Sequence, residues 1–552
     1  MLRSIFRKPL TIKLRPILKQ RTRPISTTPP STSWSPSNFS LALSLITAST
    51  LSGYIGYHLS SHSSPSPGSS PQYGTPSDFL HAIKELRDTF TYDSGVRVET
   101  SAEVLRVYGS SEVDWYTGAQ HLPTVAVSPL TTADVVQIVK IANKYRMPIV
   151  VYAGGTSLEG QFRSTSHGGI CVDVGGMDKI LEIHEEDSDL VCQPGACWVD
   201  INETLKDRGL PLFFPLDPAP TATIGGMLSN GCSGTNAVRY GTAKAEWFLN
   251  ATVVLPNGEV IKTRRRARKS SAGFDLTKLF IGAEGTLGII TEVTIRLAPL
   301  LPTTVAVAHF SDVRKATAAV REVLNRGVGI QCIELLDDDF IQALNSSYPT
   351  PKYPLRDTLF FKLQGPTPSS LAESASIVKQ IIEKPDYGGT GWRLARDGEE
   401  AEAMWLDRRA ALYTALSTGG GSKGWGTDVC VPVSQLPALV YETKKDIKAA
   451  GIKSGIVGHV GDGNFHALLL FKNDEELEVV RELVHRMVER AIALDGTCTG
   501  EHGVGIGKKE YLYDELGEGA VELMKTIKRA VDPLNLFNPG KLYPDIKDTK
   551  KH

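Results

Sequence analysis

The chain has 552 residues, which is enough for two or three domains with separate hydrophobic cores. Charged residues make up 22% of it and the formal net charge is -1, so no bulk electrostatic signal points to a nucleic-acid partner. The seven cysteines include no Cys-x-x-Cys pair, which argues against a zinc ribbon or a disulfide scaffold. The basic run at 264–269 follows a predicted hairpin strand and is interpreted as a solvated loop.

The first 77 residues differ in composition from the rest of the chain. No Asp or Glu precedes Asp78, and the Arg and Lys of residues 1–38 lie among Ser, Thr and Pro, which is typical of a mitochondrial presequence. Residues 39–59 contain no Asp, Glu, Lys or Arg and match the ~20 residues needed to span a bilayer, which predicts a transmembrane anchor. A disordered leader is the alternative. Residues 60–77, rich in Ser, Pro and Gly, are predicted to form a flexible linker.

Three glycine-rich segments dominate the next part of the chain, a predicted domain over 78–299. A helix is predicted over 132–146 from its apolar spacing, and a short apolar strand then runs into the glycine loop 154–160. Paired glycines let backbone N–H groups approach a pyrophosphate without interference from a Cβ atom. The stretches 223–236 and 280–290 are also rich in glycine. One such loop is often only a turn, but three in one region predict that backbone surrounds a large flat ligand.

Pro299 and Pro302 mark the start of a second domain, predicted over 300–543 and followed by a tail at 544–552. In this region strand-like stretches alternate with helical ones, at 305–310, 313–324, 359–363, 371–382, 392–395 and 400–416. The alternation indicates a separate α+β domain.

Two histidines flank a Gly-Asp-Gly-Asn turn in this second domain. His459 and His466 lie between apolar runs at 454–458 and 467–471, which predicts a strand, a turn and a strand whose imidazoles point the same way. Two imidazoles and one carboxylate are a common ligand set for a divalent transition metal with positions left open for substrate. Glu501 would be the third ligand, with the base His502 beside it. The alternative is two hairpin histidines and an unrelated loop dyad.

With these motifs in view, the chain resembles the flavoproteins of the vanillyl-alcohol oxidase/p-cresol methylhydroxylase type over most of its length, from about Leu122 to Tyr543. The resemblance implies an α+β protein: a two-subdomain FAD-binding domain of the vanillyl-alcohol oxidase type, followed by an α+β FAD-linked oxidase C-terminal substrate domain. The residues that it implies for FAD binding are Ala153, Gly154, Gly155, Thr156, Ser157, Gly160, Pro218, Thr223, Gly225, Gly226, Asn230, Gly234, Glu284, Gly285, Gly288, Ile289, Asn538 and Lys541.

The C-terminal motifs resemble those of the D-2-hydroxyacid dehydrogenase branch of this family. That resemblance implies a divalent metal, zinc or manganese, held by His459, His466 and Glu501. It also implies that His502 accepts the proton of the substrate hydroxyl and that Arg408 binds the substrate carboxylate. For Arg408, the neighbouring Arg409 or a simple helix-surface charge are the alternatives.

Two departures from relatives sharpen the expected chemistry. Thr156 and Ser157 stand where members with covalent flavin often carry a histidine, so FAD is expected to be held non-covalently. Gly426 and Leu468 replace a lysine and an asparagine of the 2-hydroxyglutarate branch, which favours a short monocarboxylate. The expected reaction is oxidation of D-lactate to pyruvate, with D-2-hydroxyglutarate or glycolate as alternatives on the same scaffold. A catalytically silent, membrane-tethered flavin or metal-binding protein is the alternative of another class.

The electron acceptor and location are expected from the resemblance together with the leader. No residue pattern indicates a nicotinamide site, and cytochrome c is the acceptor that the family implies. A presequence followed by an anchor would place the protein in the mitochondrial inner membrane with its flavin domains facing the intermembrane space.

Overall fold

The structure, a computed structural model, describes residues 73–109, 121–417 and 423–545. The predicted presequence and transmembrane anchor lie outside these ranges, as does most of the predicted tail. Within the three described ranges, no helix is both long enough and apolar enough to cross a membrane.

The first helix, α1 (Pro76–Thr89), begins inside the segment predicted to be a linker. The Thr75 hydroxyl accepts a hydrogen bond from the Asp78 backbone N–H at 3.2 Å, and the Asp78 carboxylate accepts one from the Thr75 N–H at 2.8 Å. This reciprocal cap, with Pro76 at the first helical position, starts a helix within a stretch whose Ser and Pro content indicates a linker. The linker predicted over 60–77 is therefore wrong in its last two residues.

The amino-terminal domain has two subdomains, and the first contains a sheet with three parallel strands. Its elements are β1 (Arg97–Glu99), α2 (Ala102–Val107), β2 (Val125–Ser128), α3 (Thr132–Lys144), β3 (Ile149–Tyr152) and β4 (Ile170–Asp173). The strand order is β1-β2-β4-β3, with β1 antiparallel to β2 and the others parallel. Val135, Ile138 and Val139 on α3 are buried in one core with the strand residue Ile170. The predicted helix and the strand before the glycine loop are thus confirmed.

The second subdomain is an antiparallel sheet with helices packed on it. Its elements are β5 (Ile180–His184), β6 (Asp189–Cys192), α4 (Trp198–Asp207), β7 (Leu212–Phe213), α5 (Ile224–Asn230), α6 (Ala237–Tyr240), β8 (Phe248–Val254), β9 (Val260–Lys262), α7 (Leu276–Phe280), β10 (Ile289–Arg296) and β11 (Ala298–Pro299). The strand order is β5-β6-β10-β8-β9, and β7 pairs separately with β11. Two of the three glycine-rich segments lie at ends of α5 and before β10, so the sheet positions both.

The second domain is an eight-stranded sheet with helices. Its elements are β12 (Thr303–Phe310), α8 (Val313–Asn325), β13 (Ile330–Leu336), α9 (Asp338–Asn345), β14 (Asp357–Gln364), α10 (Pro368–Ile382), β15 (Thr390–Leu394), α11 (Gly398–Ser417), β16 (Lys423–Gly426), β17 (Val429–Cys430), α12 (Leu436–Ala450), β18 (Ser454–Gly458), β19 (Asn464–Phe471), α13 (Asp474–Ala493) and α14 (Leu512–Val531). The strand order is β15-β12-β14-β13-β18-β19-β16, with β17 paired to β19. The predicted alternation of strands and helices is confirmed.

The end of the chain returns to the amino-terminal domain. The Ile149 N–H donates to the Leu536 carbonyl at 2.7 Å, and the Asn538 N–H donates to the Ile149 carbonyl at 2.8 Å. Leu536 and Phe537 are buried in the core of the first subdomain. Because β3 is an edge strand, its free backbone groups can take this segment as a further partner. The last residues of the predicted domain 300–543 therefore pack on the amino-terminal domain.

The two domains also meet where helix α6 approaches strand β13. The Asn236 amide oxygen accepts hydrogen bonds from Gln331 Nε2 and from the Cys332 thiol, both at 3.0 Å, and its Nδ2 donates to the Pro215 carbonyl at 2.9 Å. Asn236 and Gln331 are both buried. Since a buried amide without partners destabilises a fold, these bonds fix β13 against the second subdomain.

Candidate active site

The two histidines of the predicted hairpin lie side by side. Strands β18 and β19 are antiparallel, and His466 on β19 is paired with Val457 next to the strand end that precedes His459. The centroids of the two imidazole rings are 5.2 Å apart and the rings are nearly perpendicular. The His466 Nδ1–H donates to the Thr427 carbonyl at 2.9 Å, which leaves Nε2 free to act as a ligand.

Glu501 reaches both histidines from a loop far along the chain. Its Oε1 atom lies 3.1 Å from His459 Nε2 and 3.2 Å from His466 Nε2. Its Oε2 atom accepts a hydrogen bond from the Ser233 hydroxyl at 2.8 Å. Ser233 belongs to the second glycine-rich segment, so the predicted ligand set lies at the junction of the two domains.

These three residues fit a divalent metal. One ligand atom from each of His459, His466 and Glu501 lies within 4.8 Å of the other two. Nitrogen and oxygen ligands held at ~2.0–2.1 Å in a tetrahedral site are about 3.3 Å apart, close to the 3.1 and 3.2 Å between Glu501 Oε1 and the two imidazole nitrogens. Burial raises the pKa of Glu501, but the charge and hydrogen bond of His459 outweigh it and hold that pKa well below its usual range. The carboxylate is therefore ionised. Burial lowers the pKa of His459, but the charges of Glu334 and Glu501 hold it well above its usual range, so a bound metal would replace the proton between His459 and Glu501.

A buried aspartate that the sequence analysis did not assign holds the loop in place. Asp428 Oδ2 accepts hydrogen bonds from the backbone N–H groups of Glu501 and His502, each at 2.9 Å. Its Oδ1 accepts a hydrogen bond from Asn464 Nδ2 at 2.7 Å. Burial raises the pKa of Asp428, but the charge of Lys508 and those of the nearby histidines hold it well below its usual range. One charged carboxylate thus fixes the backbone of the ligand loop to the hairpin.

His502 has the environment of a base. Its ring stacks on that of His466 with centroids 5.0 Å apart and an interplanar angle of 12°. Its Nδ1 atom is buried and has no hydrogen-bond partner among the described residues. Burial lowers the pKa of His502 to about 4, so the imidazole is neutral near pH 7; the same shift makes it a weaker base than an exposed histidine.

Arg408 is buried and takes part in an ion pair that the sequence did not predict. Its Nη2 atom lies 2.5 Å from Glu334 Oε2, while its Nε atom is buried without a hydrogen-bond partner among the described residues. Arg409 is exposed. The helix-surface alternative is thus wrong for Arg408. Glu334 was missed although it is the only charged residue of β13, a strand of otherwise uncharged side chains.

The segments expected to bind FAD come together around the glycine loop. Ala153, Gly154, Gly155, Thr156, Ser157 and Gly160 follow strand β3; Pro218, Thr223, Gly225, Gly226, Asn230 and Gly234 lie in or around α5; Glu284, Gly285, Gly288 and Ile289 lead into β10; Asn538 and Lys541 lie in the returning C-terminal segment. Asn230 Nδ2 donates to the Ser157 hydroxyl at 2.8 Å, which joins the first two groups.

Asn538 and Lys541 join the remaining segments. Asn538 Nδ2 donates to the carbonyls of Gln161 and Glu284 at 2.9 and 2.7 Å, and Lys541 Nζ donates to Asn538 Oδ1 at 2.9 Å. The Glu284 carboxylate accepts the N–H groups of Val504 and Gly505, so it is already bonded to the loop that follows His502. The side chains of these three predicted residues therefore hold the segments to one another.

The glycine loop has the form that a pyrophosphate requires. Gly154 is exposed and the residues after it through Leu158 are half-buried, so their backbone is accessible beside Thr223, which caps α5. Gly155 has φ +64°, and a Cβ atom there would lie 2.4 Å from the Tyr152 hydroxyl. Non-glycine residues are disfavoured at this φ, so the loop depends on glycine. The predicted non-covalent FAD site fits these residues.

Replacing Gly155 tests this loop. Gly155→Val is expected to give protein that lacks FAD, because a branched side chain is strained at this φ and displaces the backbone from the phosphates. The measurement is the flavin absorbance of purified protein, with Gly209→Val as the control, since Gly209 also has a positive φ but a Cβ there would meet nothing within 4 Å. Yellow Gly155→Val protein with a full complement of FAD would contradict the assignment.

Comparison with known proteins shows the family of this chain. An FAD binding domain matches residues 123–264, and the C-terminal domain of FAD linked oxidases matches residues 302–542. D-lactate dehydrogenase (cytochrome) 1, mitochondrial, of Saccharomyces cerevisiae is 43% identical over 431 residues, which cover 76% of this chain and 72% of that protein. The chain belongs to the FAD-linked oxidase family.

Other members of this FAD-linked oxidase family match over similar lengths. D-lactate dehydrogenase (cytochrome), mitochondrial, of Arabidopsis thaliana is 42% identical and the match covers 77% of this chain and 74% of that protein. Glycolate oxidase subunit GlcD of Bacillus subtilis is 32% identical, with 78% of this chain and 91% of that protein covered.

Solved structures show the fold. The structure of p-cresol methylhydroxylase with substrate bound matches with a TM-score of 0.71 at 18% identity, covering 86% of this chain and 98% of that one. An alkyldihydroxyacetonephosphate synthase matches with a TM-score of 0.65 at 18% identity, covering 86% of each chain. The predicted fold, an FAD-binding domain of the vanillyl-alcohol oxidase type followed by an FAD-linked oxidase C-terminal domain, is confirmed.

Proposed function

We propose that this FAD-linked oxidase converts D-lactate to pyruvate with a non-covalent FAD and a divalent metal, zinc or manganese. The observation that carries the proposal is one partly buried cluster in which His459, His466 and Glu501 present three ligand atoms, with the ring of His502 stacked on that of His466. The D-lactate dehydrogenases named above, at 42 and 43% identity, support the choice of substrate.

Oxidation of a 2-hydroxy acid removes a proton from the hydroxyl and a hydride from C2, and the residues divide this task. His502 accepts the hydroxyl proton on Nδ1, which is buried and without a hydrogen-bond partner in the described part of the chain. Arg408 binds the substrate carboxylate through its Nε–H, which has no partner among the described residues. Bound FAD supplies the hydride acceptor, and a metal held by His459, His466 and Glu501 supplies a Lewis acid that lowers the pKa of the hydroxyl.

The two departures noted in the sequence lie opposite each other in the structure. Gly426 on β16 is paired directly with Leu468 on β19, so both positions belong to one face of the sheet. Leu468 is buried in a cluster with Trp405, on the helix that carries Arg408. Neither residue offers a charge or a hydrogen-bonding side chain to a second carboxylate, which supports a short monocarboxylate over D-2-hydroxyglutarate.

Turnover with a panel of 2-hydroxy acids tests the substrate. With an artificial electron acceptor, D-lactate is expected to give the highest kcat/KM, with L-lactate inactive and D-2-hydroxyglutarate poor. Glycolate is the second candidate, because the glycolate oxidase subunit of Bacillus subtilis is 32% identical to this chain. A higher kcat/KM for glycolate or D-2-hydroxyglutarate than for D-lactate would reject the proposed substrate.

We further propose that cytochrome c accepts the electrons and that residues 1–38 and 39–59 serve as presequence and inner-membrane anchor. The acid-free basic leader supports import, and the relatives from yeast and Arabidopsis are named as mitochondrial cytochrome-linked enzymes. If residues 39–59 stop in the inner membrane, the flavin domains would lie in the intermembrane space, where they could meet cytochrome c.

Protease treatment of mitochondria tests this placement. In mitoplasts, from which the outer membrane has been removed, added protease is expected to digest the protein, because the folded domains would face the protease. In intact mitochondria the protein should survive, and a matrix protein should survive in both. Protection in mitoplasts equal to that of the matrix marker would reject both the placement and cytochrome c as acceptor.

A further inference from the structure

Glu334 lies between the candidate metal ligands and the candidate substrate arginine. It is on β13, every residue of which is buried, and its side chain has no exposed surface. Its two oxygens lie 3.0 and 2.9 Å from His459 Nδ1, and Oε2 is also 2.5 Å from Arg408 Nη2. One carboxylate therefore contacts a residue from each half of the site.

The contact with His459 determines which of its nitrogens faces the ligand cluster. A carboxylate that serves both a guanidinium and an imidazole here acts as an acceptor, so His459 Nδ1 is the donor. The Nε2 atom then faces Glu501 Oε1 at 3.1 Å, within the cluster of ligand atoms. Metal-binding imidazoles commonly donate their second N–H to a carboxylate, which fixes the ring and raises its basicity.

The contact with Arg408 fixes the direction of the guanidinium. Because this group is planar, holding Nη2 against Glu334 also sets where Nε points. Nε is buried and has no partner among the described residues, so this N–H is left for a ligand. Both partners of Glu334 are thus oriented by the same pair of oxygens.

We propose that Glu334 is a positioning residue that couples metal binding to recognition of the substrate carboxylate. This inference rests on the proposed function, since it takes His459 as a ligand and Arg408 as the carboxylate-binding group. Glu334 contacts neither substrate nor metal. It holds the imidazole and the guanidinium at a fixed separation, so that the hydroxyl and the carboxylate of one 2-hydroxy acid can be bound together.

Glu334→Gln is the direct test. The amide has one accepting oxygen, and its NH2 group would face a donor on either His459 or Arg408, so both partners cannot stay oriented. Zinc affinity, measured as bound zinc in graded zinc buffers, is expected to fall about 10–100-fold. Propionate, a carboxylate without the 2-hydroxyl, reports on Arg408 alone. Its dissociation constant, measured from the change in flavin absorbance, should rise roughly 10–100-fold even in metal-free enzyme, the range for loss of a hydrogen bond to a charged group.

Two further variants separate position from charge and from general stability. Glu334→Asp keeps the charge but withdraws the oxygens by one methylene, so the same two losses are expected. Asp337→Asn removes another buried carboxylate near the end of the same strand, one that pairs with Lys444 at 3.1 Å. It should leave zinc affinity and the dissociation constant of propionate unchanged, whatever it does to the melting temperature. All variants are compared as FAD-containing protein.

Several results would overturn the inference. If Glu334→Gln binds zinc as tightly as Asp337→Asn does, Glu334 does not orient His459. If Glu334→Asp keeps the wild-type zinc affinity and the wild-type propionate affinity, the position of the carboxylate does not matter. Tighter propionate binding in Glu334→Gln would show that Glu334 competes with the substrate for Arg408. His466→Ala distinguishes this failure from failure of the proposed function: if it keeps wild-type zinc affinity, the metal site itself is wrongly assigned.

Discussion

His502→Ala is expected to slow flavin reduction by D-lactate about 10²–10⁴-fold, the range for loss of a general base. The imidazole is the only part of His502 that the substitution removes. The backbone N–H of His502 donates to Asp428, and its carbonyl accepts a hydrogen bond from Gln161 Nε2 at 2.7 Å. The alanine variant therefore keeps both of these hydrogen bonds. FAD and metal should therefore remain bound at wild-type levels.

Rapid anaerobic mixing with D-lactate measures this loss as the rate at which the flavin absorbance disappears. His309→Ala is the matched control: burial lowers the pKa of His309 to about 4 as well, but it lies on β12 and bonds Thr358. That variant should reduce its flavin at the wild-type rate once folded. If His502→Ala does the same, another group takes the proton.

His459→Ala, His466→Ala and Glu501→Gln are each expected to lose the metal and reduce turnover to background, while FAD stays bound. Glu501 Oε1 lies within 3.2 Å of both imidazoles, so removing any one group leaves two ligand atoms. Catalytic metal sites with three protein ligands depend on each of them. The Glu501 N–H keeps its bond to Asp428 in the glutamine variant, so the loop is retained.

Metal analysis, flavin absorbance and turnover on the same samples test this prediction, and chelation of the wild-type enzyme should reproduce it. Asp338→Asn is the control, because Asp337, Asp338 and Asp339 form another group that could hold a cation. Lys444 already pairs with Asp337 and Asp338, so Asp338→Asn should keep the wild-type metal content. Full D-lactate turnover in strictly metal-free enzyme would refute the role of the metal.

The local elements of the site could be predicted because their signals are short-range. A Gly-Asp-Gly-Asn turn between apolar runs specifies a hairpin, and β18 and β19 form it with His459 and His466 adjacent. The helix with its cap at Thr131 and the glycine loop after β3 follow from the same kind of local pattern. The resemblance to a flavoprotein family then supplied the carboxylate-binding role of Arg408 and the order of the domains.

The parts of the site and fold that the sequence did not predict depend on contacts between distant segments. Glu334 and Asp428 are single acidic residues in apolar surroundings, and only the folded sheet brings them to His459 and to the loop of Glu501. The return of Phe537 to the first subdomain depends on a free edge of β3, which no local pattern encodes. Buried charges with no partner nearby in sequence are the signal that could have identified the first two.

Anaerobic mixing of FAD- and metal-replete enzyme with D-lactate tests the central claim most directly. The account predicts loss of the oxidised flavin absorbance in a single turnover, with stoichiometric pyruvate, and no change with L-lactate. Flavin that stays oxidised with D-lactate, or that is reduced equally well by both enantiomers, would contradict it.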